Sequence, residues 1–295
     1  MNPIIEFLQA VVTLNHSFTW DYVWKYLFFG AVIQGAILTV ILSVISQFLG
    51  TVLGLLLYYV RRSKSPILRT FGGIYVWFFR GTPLVVQVLI LFLLFPYLNL
   101  SRPLRNIDLF SHLGFTHGVG PVFLDSFLAG VLALSLNEGA YMAEIVRAGI
   151  DSIDTGQLEA ARSLGMTYGL AMRRIILPQA FRVIIPPLGN EFNNMLKSSS
   201  LVAFASLTEL LGTAQVIGGP LFATLELLIV ACFWYLLLTT IWGFIQAAIE
   251  RRLNASNIDP ALRDRGPWYR RLMGGRVPET ALGPVPLHHE GGVRL

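Results

Sequence analysis

Charge is scarce in this chain. Lys, Arg, Asp and Glu make up 13% of its 295 residues, against about 25% in a soluble domain. With 54% hydrophobic residues and a mean hydropathy of +0.62, that deficit excludes an ordinary soluble fold and predicts an all-α polytopic membrane protein. Cysteine occurs once, as Cys232 inside an apolar run, so no intrachain disulfide forms and the redox compartment stays unread. No basic residue precedes Lys25, so Met1 to Ala10 lacks the positive region of a cleavable signal peptide, and the first apolar span is expected to stay. None of the three lysines, Lys25, Lys64 and Lys197, follows a glycine. The Gly-Lys-Ser/Thr element that cradles nucleotide phosphates is therefore missing. The five histidines (His16, His112, His117, His288 and His289) all fall outside the apolar spans, which removes an intramembrane bis-histidine haem site. The adjacent pair His288 and His289 has no further ligands around it and reads as incidental. No catalytic residue, metal or cofactor is expected.

What is present is a series of long apolar stretches. About 20 apolar residues cross a bilayer, and five segments qualify. They are Leu27 to Val60; Gly81 to Ser101, preceded by the apolar Thr70 to Phe79; Pro121 to Ala143; Ile184 to Gly219, repeatedly broken by polar residues; and Leu221 to Ala248. Gly50 and Gly54 form a GxxxG in the first, a spacing that favours close helix packing. Arg61, Arg62, Lys64 and Arg69 follow the first span, Arg147, Arg162, Arg173, Arg174 and Arg182 follow the third, and eight arginines follow the fifth. Basic residues mark the cytoplasmic side. The expected topology has residues 1–26 and the N-terminus outside, a transmembrane domain over 27–250, and a cytoplasmic, poorly ordered tail over 251–295. The net charge of +5 follows from this bias and calls for no nucleic acid. Arg80 is expected to reach back to the cytoplasmic interface.

Between the third and fourth spans lies a charged cytoplasmic insert, about 151–183. Asp154 or Thr155 can cap a short helix through Glu159, Ala160, Ala161 and Leu164, with Gln157 placed to close a box. Gly165 suits the left-handed position that ends it. Thr167 can cap a second helix, Tyr168 to Leu177, which Pro178 is expected to stop. The small Ala160 and Ala161 leave a face that another protein can approach, Leu164 and Met166 flank the bend as apolar knobs, and Arg173 and Arg174 sit well against anionic membrane lipid.

Glu159-Ala160-Ala161, then Gly165, then Ile175-Ile176-Leu177-Pro178 resembles the EAA loop of binding-protein-dependent ABC importer permeases. Phe79 to Leu84 (FRGTPL), Leu136 to Tyr141 (LNEGAY), Leu177 to Ala180 (LPQA) and Pro186 to Asn190 (PPLGN) resemble the permeases for polar amino acids. The similarity covers about Gly30 to Ile249. Trp77 departs from it where an acidic residue is expected, and the outer segment Tyr97 to Val122 is longer than usual. The resemblance implies a type I ABC permease core in the cytoplasmic membrane of a prokaryote. Its implied partners are cytoplasmic ABC ATPase subunits, a second permease subunit and an extracytoplasmic amino acid binding protein. It assigns ATPase coupling to Glu159, Ala160, Ala161, Leu164, Gly165, Met166, Ile175, Leu177 and Pro178.

Polar residues in the fourth span cluster after Pro186 and Pro187: Asn190, Glu191, Asn193, Asn194, Lys197 and Ser198. Such density does not suit a lipid-facing helix, and a broken helix lining a pathway fits better. Glu191, Asn194 and Lys197 or Ser198 share one face at three- and four-residue spacing, so a carboxylate and an ammonium there could meet the two charges of a zwitterionic amino acid. Glu138 in the third span is a second pathway candidate, while Glu144 is placed to pair with Arg147. Two alternatives stay open: Glu191 and Lys197 serve polar packing between subunits, or Glu138, Glu191 and Lys197 are ion sites of a self-contained secondary transporter or channel.

Overall fold

The computed structural model describes residues 18–98 and 121–254. The expectations for residues 1–17, for the outer stretch 99–120 and for the tail from 255 onward, with its histidine pair, lie outside these. The described elements are helical. A short helix α1 (Trp20–Leu27) precedes α2 (Gly30–Arg61), α3 (Pro66–Gly81), α4 (Leu84–Leu98) and α5 (Pro121–Asp151). The insert supplies α6 (Thr155–Ser163) and α7 (Tyr168–Ala171), and a π turn (Met172–Ile176) joins α7 to α8 (Leu177–Ser198). A 3-10 turn (Ser199–Ala205), α9 (Leu210–Gly218) and α10 (Thr224–Asn254) complete the order.

By length and composition, α2 and Thr224–Leu253 of α10 can each cross a membrane. Two bent pairs bring the number to four if each is one span: α3 with α4, at 105°, and Tyr168–Ala205 with α9, at 46°. The chain is thus a multi-pass membrane protein.

The centre is the pairing of α2 with α5. Gly50 and Gly54 are what lets these helices touch. A Cβ added at Gly50 would stand 2.6 Å from the Glu138 Cβ, and one at Gly54 would collide with Met142. Leu38, Leu42, Phe127, Leu134, Met195 and Val202 close the main core around this contact. A second cluster seats α1 on α10 through Val23, Leu27, Leu227 and Val230. Hydrogen bonds fix the same junction: Glu226 accepts from the Thr19 amide at 3.1 Å, and the Trp234 indole donates to the Leu27 carbonyl at 2.8 Å. Glu209 is fully buried and ties three elements together. Its carboxylate caps α9 through the Gly212 amide at 2.9 Å and accepts from Thr39 of α2 at 3.0 Å and Tyr235 of α10 at 2.7 Å.

The structure corrects several expectations. The second apolar stretch and the apolar segment before it form two separate helices, because Pro83 cannot donate to the Phe79 carbonyl. That carbonyl instead receives Asn137 Nδ2 at 2.8 Å and Gln87 Nε2 at 3.0 Å, and Gln87 also donates to the Thr82 carbonyl at 3.1 Å. Side chains thereby satisfy the backbone groups that the bend releases.

Pro178 does not stop the helix of the insert. The Leu177 amide bonds back to the Met172 carbonyl, five residues away. This wider turn accommodates a ring that would otherwise press on the carbonyl four residues before it. Pro186 and Pro187 do not break α8 either: the helix runs through both from Leu177 to Ser198, and α10 is bonded to it at and just beyond them, Trp242 Nε1 donating to the Gly189 carbonyl at 2.8 Å and Gln246 Nε2 to the Pro186 carbonyl at 3.4 Å. The break comes later, in the 3-10 turn and at Ser206, whose φ of 60° is left-handed.

Candidate translocation cavity and coupling surface

Where the α3–α4 bend meets α5 and the C-terminal half of α8, the chain encloses a cavity of about 610 Å³. Thr82, Pro83 and Leu84 come from the bend, Asn137, Glu138 and Tyr141 from α5, and Glu191, Asn194, Lys197 and Ser198 from α8. Five of the six pathway candidates therefore share one space. Asn190 is not among them: it is exposed and accepts from Gln246 Nε2 of α10 at 3.1 Å.

Glu138 is buried, and Gln47 Nε2 donates to its carboxylate at 2.9 Å. Ion pairs join Arg61, Arg62 and Arg147 to Glu144 and Asp151, and among the described residues none joins Lys197 to Glu191. Arg80, expected to reach back to the cytoplasmic interface, is engaged within the chain by Tyr141. It ends α3 at the level of the cavity, with its guanidinium 5.3 Å from the centre of the Tyr141 ring, a cation–π distance. Gln47, Asn137, Gln87 and Arg80 were invisible as site residues in the sequence because their partners lie on other helices. The FRGTPL and LNEGAY stretches were the available signal.

The insert forms as its caps dictate. Asp154 accepts from the Gly156 amide at 2.7 Å, Thr167 accepts from the Leu170 amide at 3.4 Å, and Gly165 has φ +79°. Glu159, Ala160 and Gly165 are exposed, and Leu164 is 82% exposed. Ala161 is the exception to the expected open face: at 1% exposure it packs inside the chain. Met166, Ile175 and Leu177 are half-buried, and Pro178 is exposed. Next to the insert, Glu144 takes Arg61 of α2 as well as the expected Arg147, the latter at 2.8 Å. Burial works against the Glu144 carboxylate, but hydrogen bonds from Arg61 and Arg147 outweigh it and hold its pKa below the usual value.

A broken helix pair around a polar cavity, with a capped, exposed insert at one end, is a transporter architecture. Residues 50–255 match the family model described as binding-protein-dependent transport system inner membrane component. The chain belongs to that family. It is a permease subunit of a binding-protein-dependent transport system. The permease is 42% identical to the arginine transport system permease protein ArgU of Corynebacterium glutamicum over 239 residues, covering 80% of this chain and 72% of that one. It is 38% identical to the L-cystine transport system permease protein TcyB of Bacillus subtilis, covering 82% and 94%. Among solved structures, an amino acid ABC transporter crystallised with histidines matches with a TM-score of 0.65 at 34% identity, over 79% of this permease and 99% of that chain.

Proposed function

We propose that this permease forms half of the pathway of an ATP-driven importer for a polar amino acid in the cytoplasmic membrane of a prokaryote. The observation that carries the reading is the cavity, which gathers Glu138, Glu191, Asn194, Lys197 and Ser198 in one space. Its volume lies within the range of small-molecule sites. Glu138 and Glu191 suit an ammonium or another cationic group, and Lys197 suits a carboxylate. Asn190 serves the α8–α10 contact. The relatives' names, arginine and L-cystine transport among them, support an amino acid as cargo.

In this reading α5 carries the third of five spans, Pro121 to Ala143, despite Asp125 and Glu138 within it, and Glu144 lies beyond its cytoplasmic end. The N-terminus lies outside, residues 27–250 form the transmembrane domain, and the chain from 251 onward is cytoplasmic. A second permease subunit completes the pathway, an extracytoplasmic binding protein delivers the amino acid, and a cytoplasmic ATPase docks on Glu159, Ala160, Leu164, Gly165 and Met166. Ala161, Ile175 and Leu177 support that surface from within the chain, and the exposed Pro178 lies beside it.

Uptake into cells depleted of ATP, with the ion gradients clamped, tests the reading. Loss of uptake is expected. Uptake that persists would instead establish a self-contained ion-coupled transporter using Glu138, Glu191 and Lys197.

A further inference from the structure

The cavity carboxylate of Glu138 is held from behind, by a residue that does not line the cavity. Gln47 lies on α2, is 6% exposed, and directs Nε2 to Glu138 Oε1 at 2.9 Å. The amide is itself seated. Thr51 Oγ1, one turn on, accepts from the side-chain Nε2 at 3.5 Å while donating to the Gln47 backbone carbonyl at 2.7 Å, and Met142 Sδ lies 3.9 Å from Nε2. Gly50 removes the side chain that would displace the Glu138 stem, since its Cβ would fall 2.6 Å from both Glu138 Cβ and Cγ.

One feature of this seat is unexplained by packing. Gln47 Oε1 is buried without a hydrogen-bond partner, a costly arrangement, although the amide occupies the orientation that gives Glu138 a donor. The geometry is organised around Glu138 as an acceptor, at the expense of Gln47 itself.

We propose that Gln47 is a positioning residue for the transported amino acid: its amide fixes one carboxylate oxygen of Glu138 so that the carboxylate presents an acceptor to a cationic group of the substrate. The inference rests on the cavity reading above. Gln47 touches no substrate. It acts through Glu138, and Lys197, which lines the same cavity, takes the substrate's carboxylate.

Direct binding to the permease purified with its ATPase, without the binding protein, tests this. The probes are radiolabelled L-arginine, L-glutamine and L-glutamate. Glu138→Gln, Gln47→Met and the double variant are compared with the parent. Each single change is expected to weaken the best-bound probe on the order of tenfold, as loss of a hydrogen bond to a charged group would. In the Glu138→Gln background, Gln47→Met should then add less than about threefold, because coupled residues are non-additive. Equal losses in both backgrounds would reduce Gln47 to packing and overturn the proposal while leaving the cavity reading intact. A Glu138→Gln complex that binds like the parent, or a parent that binds none of the three probes, removes the cavity reading and the Gln47 role with it. Should Gln47→Met fail to assemble, Gln47→Asn carries the same cycle, since it keeps the amide but is one methylene too short to reach.

Discussion

Gly165 and Leu164 stand side by side and differ in what they ask of the chain. At φ +79° Gly165 has a backbone that asparagine and aspartate tolerate best among other residues, and a Cβ there meets nothing within 4 Å. Gly165→Asp should therefore leave the permease folded and inserted, yet reduce ATP-driven uptake, because its charge would enter the surface proposed to meet the ATPase. Gly165→Asn isolates the effect of charge from that of bulk. Normal uptake by Gly165→Asp would count against the docking surface. Leu164, at 82% exposure, contributes little to this chain's own core, so Leu164→Ser should shift stability by no more than about 0.5 kcal/mol while less ATPase co-purifies. Tyr235 is the opposite case. Its hydroxyl serves the buried Glu209 at 2.7 Å, and Tyr235→Phe should cost about 1.5–3 kcal/mol, visible as a lower melting temperature in detergent with ATPase retention unchanged.

Elements show where the sequence could be read and where it could not. The insert was legible in detail because caps and left-handed glycines act within four residues of themselves: Asp154, Gly165 and Thr167 behave as their side chains require. The GxxxG in α2 was legible for a similar reason, since close approach needs small residues whatever the partner. The prolines were misleading. Pro178, Pro186 and Pro187 all lie within continuous helix, the first just after a π turn, and only Pro83 marks a sharp bend. Where a proline bends the chain is decided by the packing around it, and that is a property of the tertiary structure. The cavity was half legible. Spacing placed Glu191, Asn194 and Lys197 on one face, but nothing local announced that α5 and the α3–α4 bend would complete the wall. The bend makes its own prediction. Gln87→Leu removes donors from the Phe79 and Thr82 carbonyls and should destabilise the protein by about 1–3 kcal/mol. A melting temperature equal to the parent's would mean that the bend does not need them.

For the whole molecule, the ion cluster at the ends of α2 and α5 sets an expectation in pH. Because the Glu144 pKa is lowered on folding, its stabilisation is fully present above its ordinary value of 4.5 and is lost as pH falls through the lower folded value. The difference in melting temperature between the parent and Glu144→Gln should thus be constant from neutral pH down to about 4.5 and shrink below it. A difference that vanished already at pH 6 would contradict the assignment. Topology is open to labelling, since Cys232 is the one cysteine to remove. In a Cys232→Ser background, Phe222→Cys, at a position 97% exposed between α9 and α10, should react from outside intact cells, and Leu164→Cys only after permeabilisation. The reverse pattern would invert the proposed orientation.

The π turn has one more consequence. Because it carries the helix past Pro178, the chain from Tyr168 runs on without a sharp bend as far as the 3-10 turn, with the insert proposed to meet the ATPase at one end and Lys197 near the other. At 1.5 Å per residue the arm from Thr167 to Lys197 is about 45 Å long, so a tilt of about 5° at one end sweeps the other through about 4 Å. Spin labels at Tyr168 and Ser198 should hold a constant separation with and without ATP; a separation that changed would show the arm to be jointed. If the insert meets the ATPase as proposed, a stiff arm would need no chain of small adjustments to relay nucleotide state: leverage alone would turn a motion smaller than a side chain at one end into one that makes or breaks a hydrogen bond at the other.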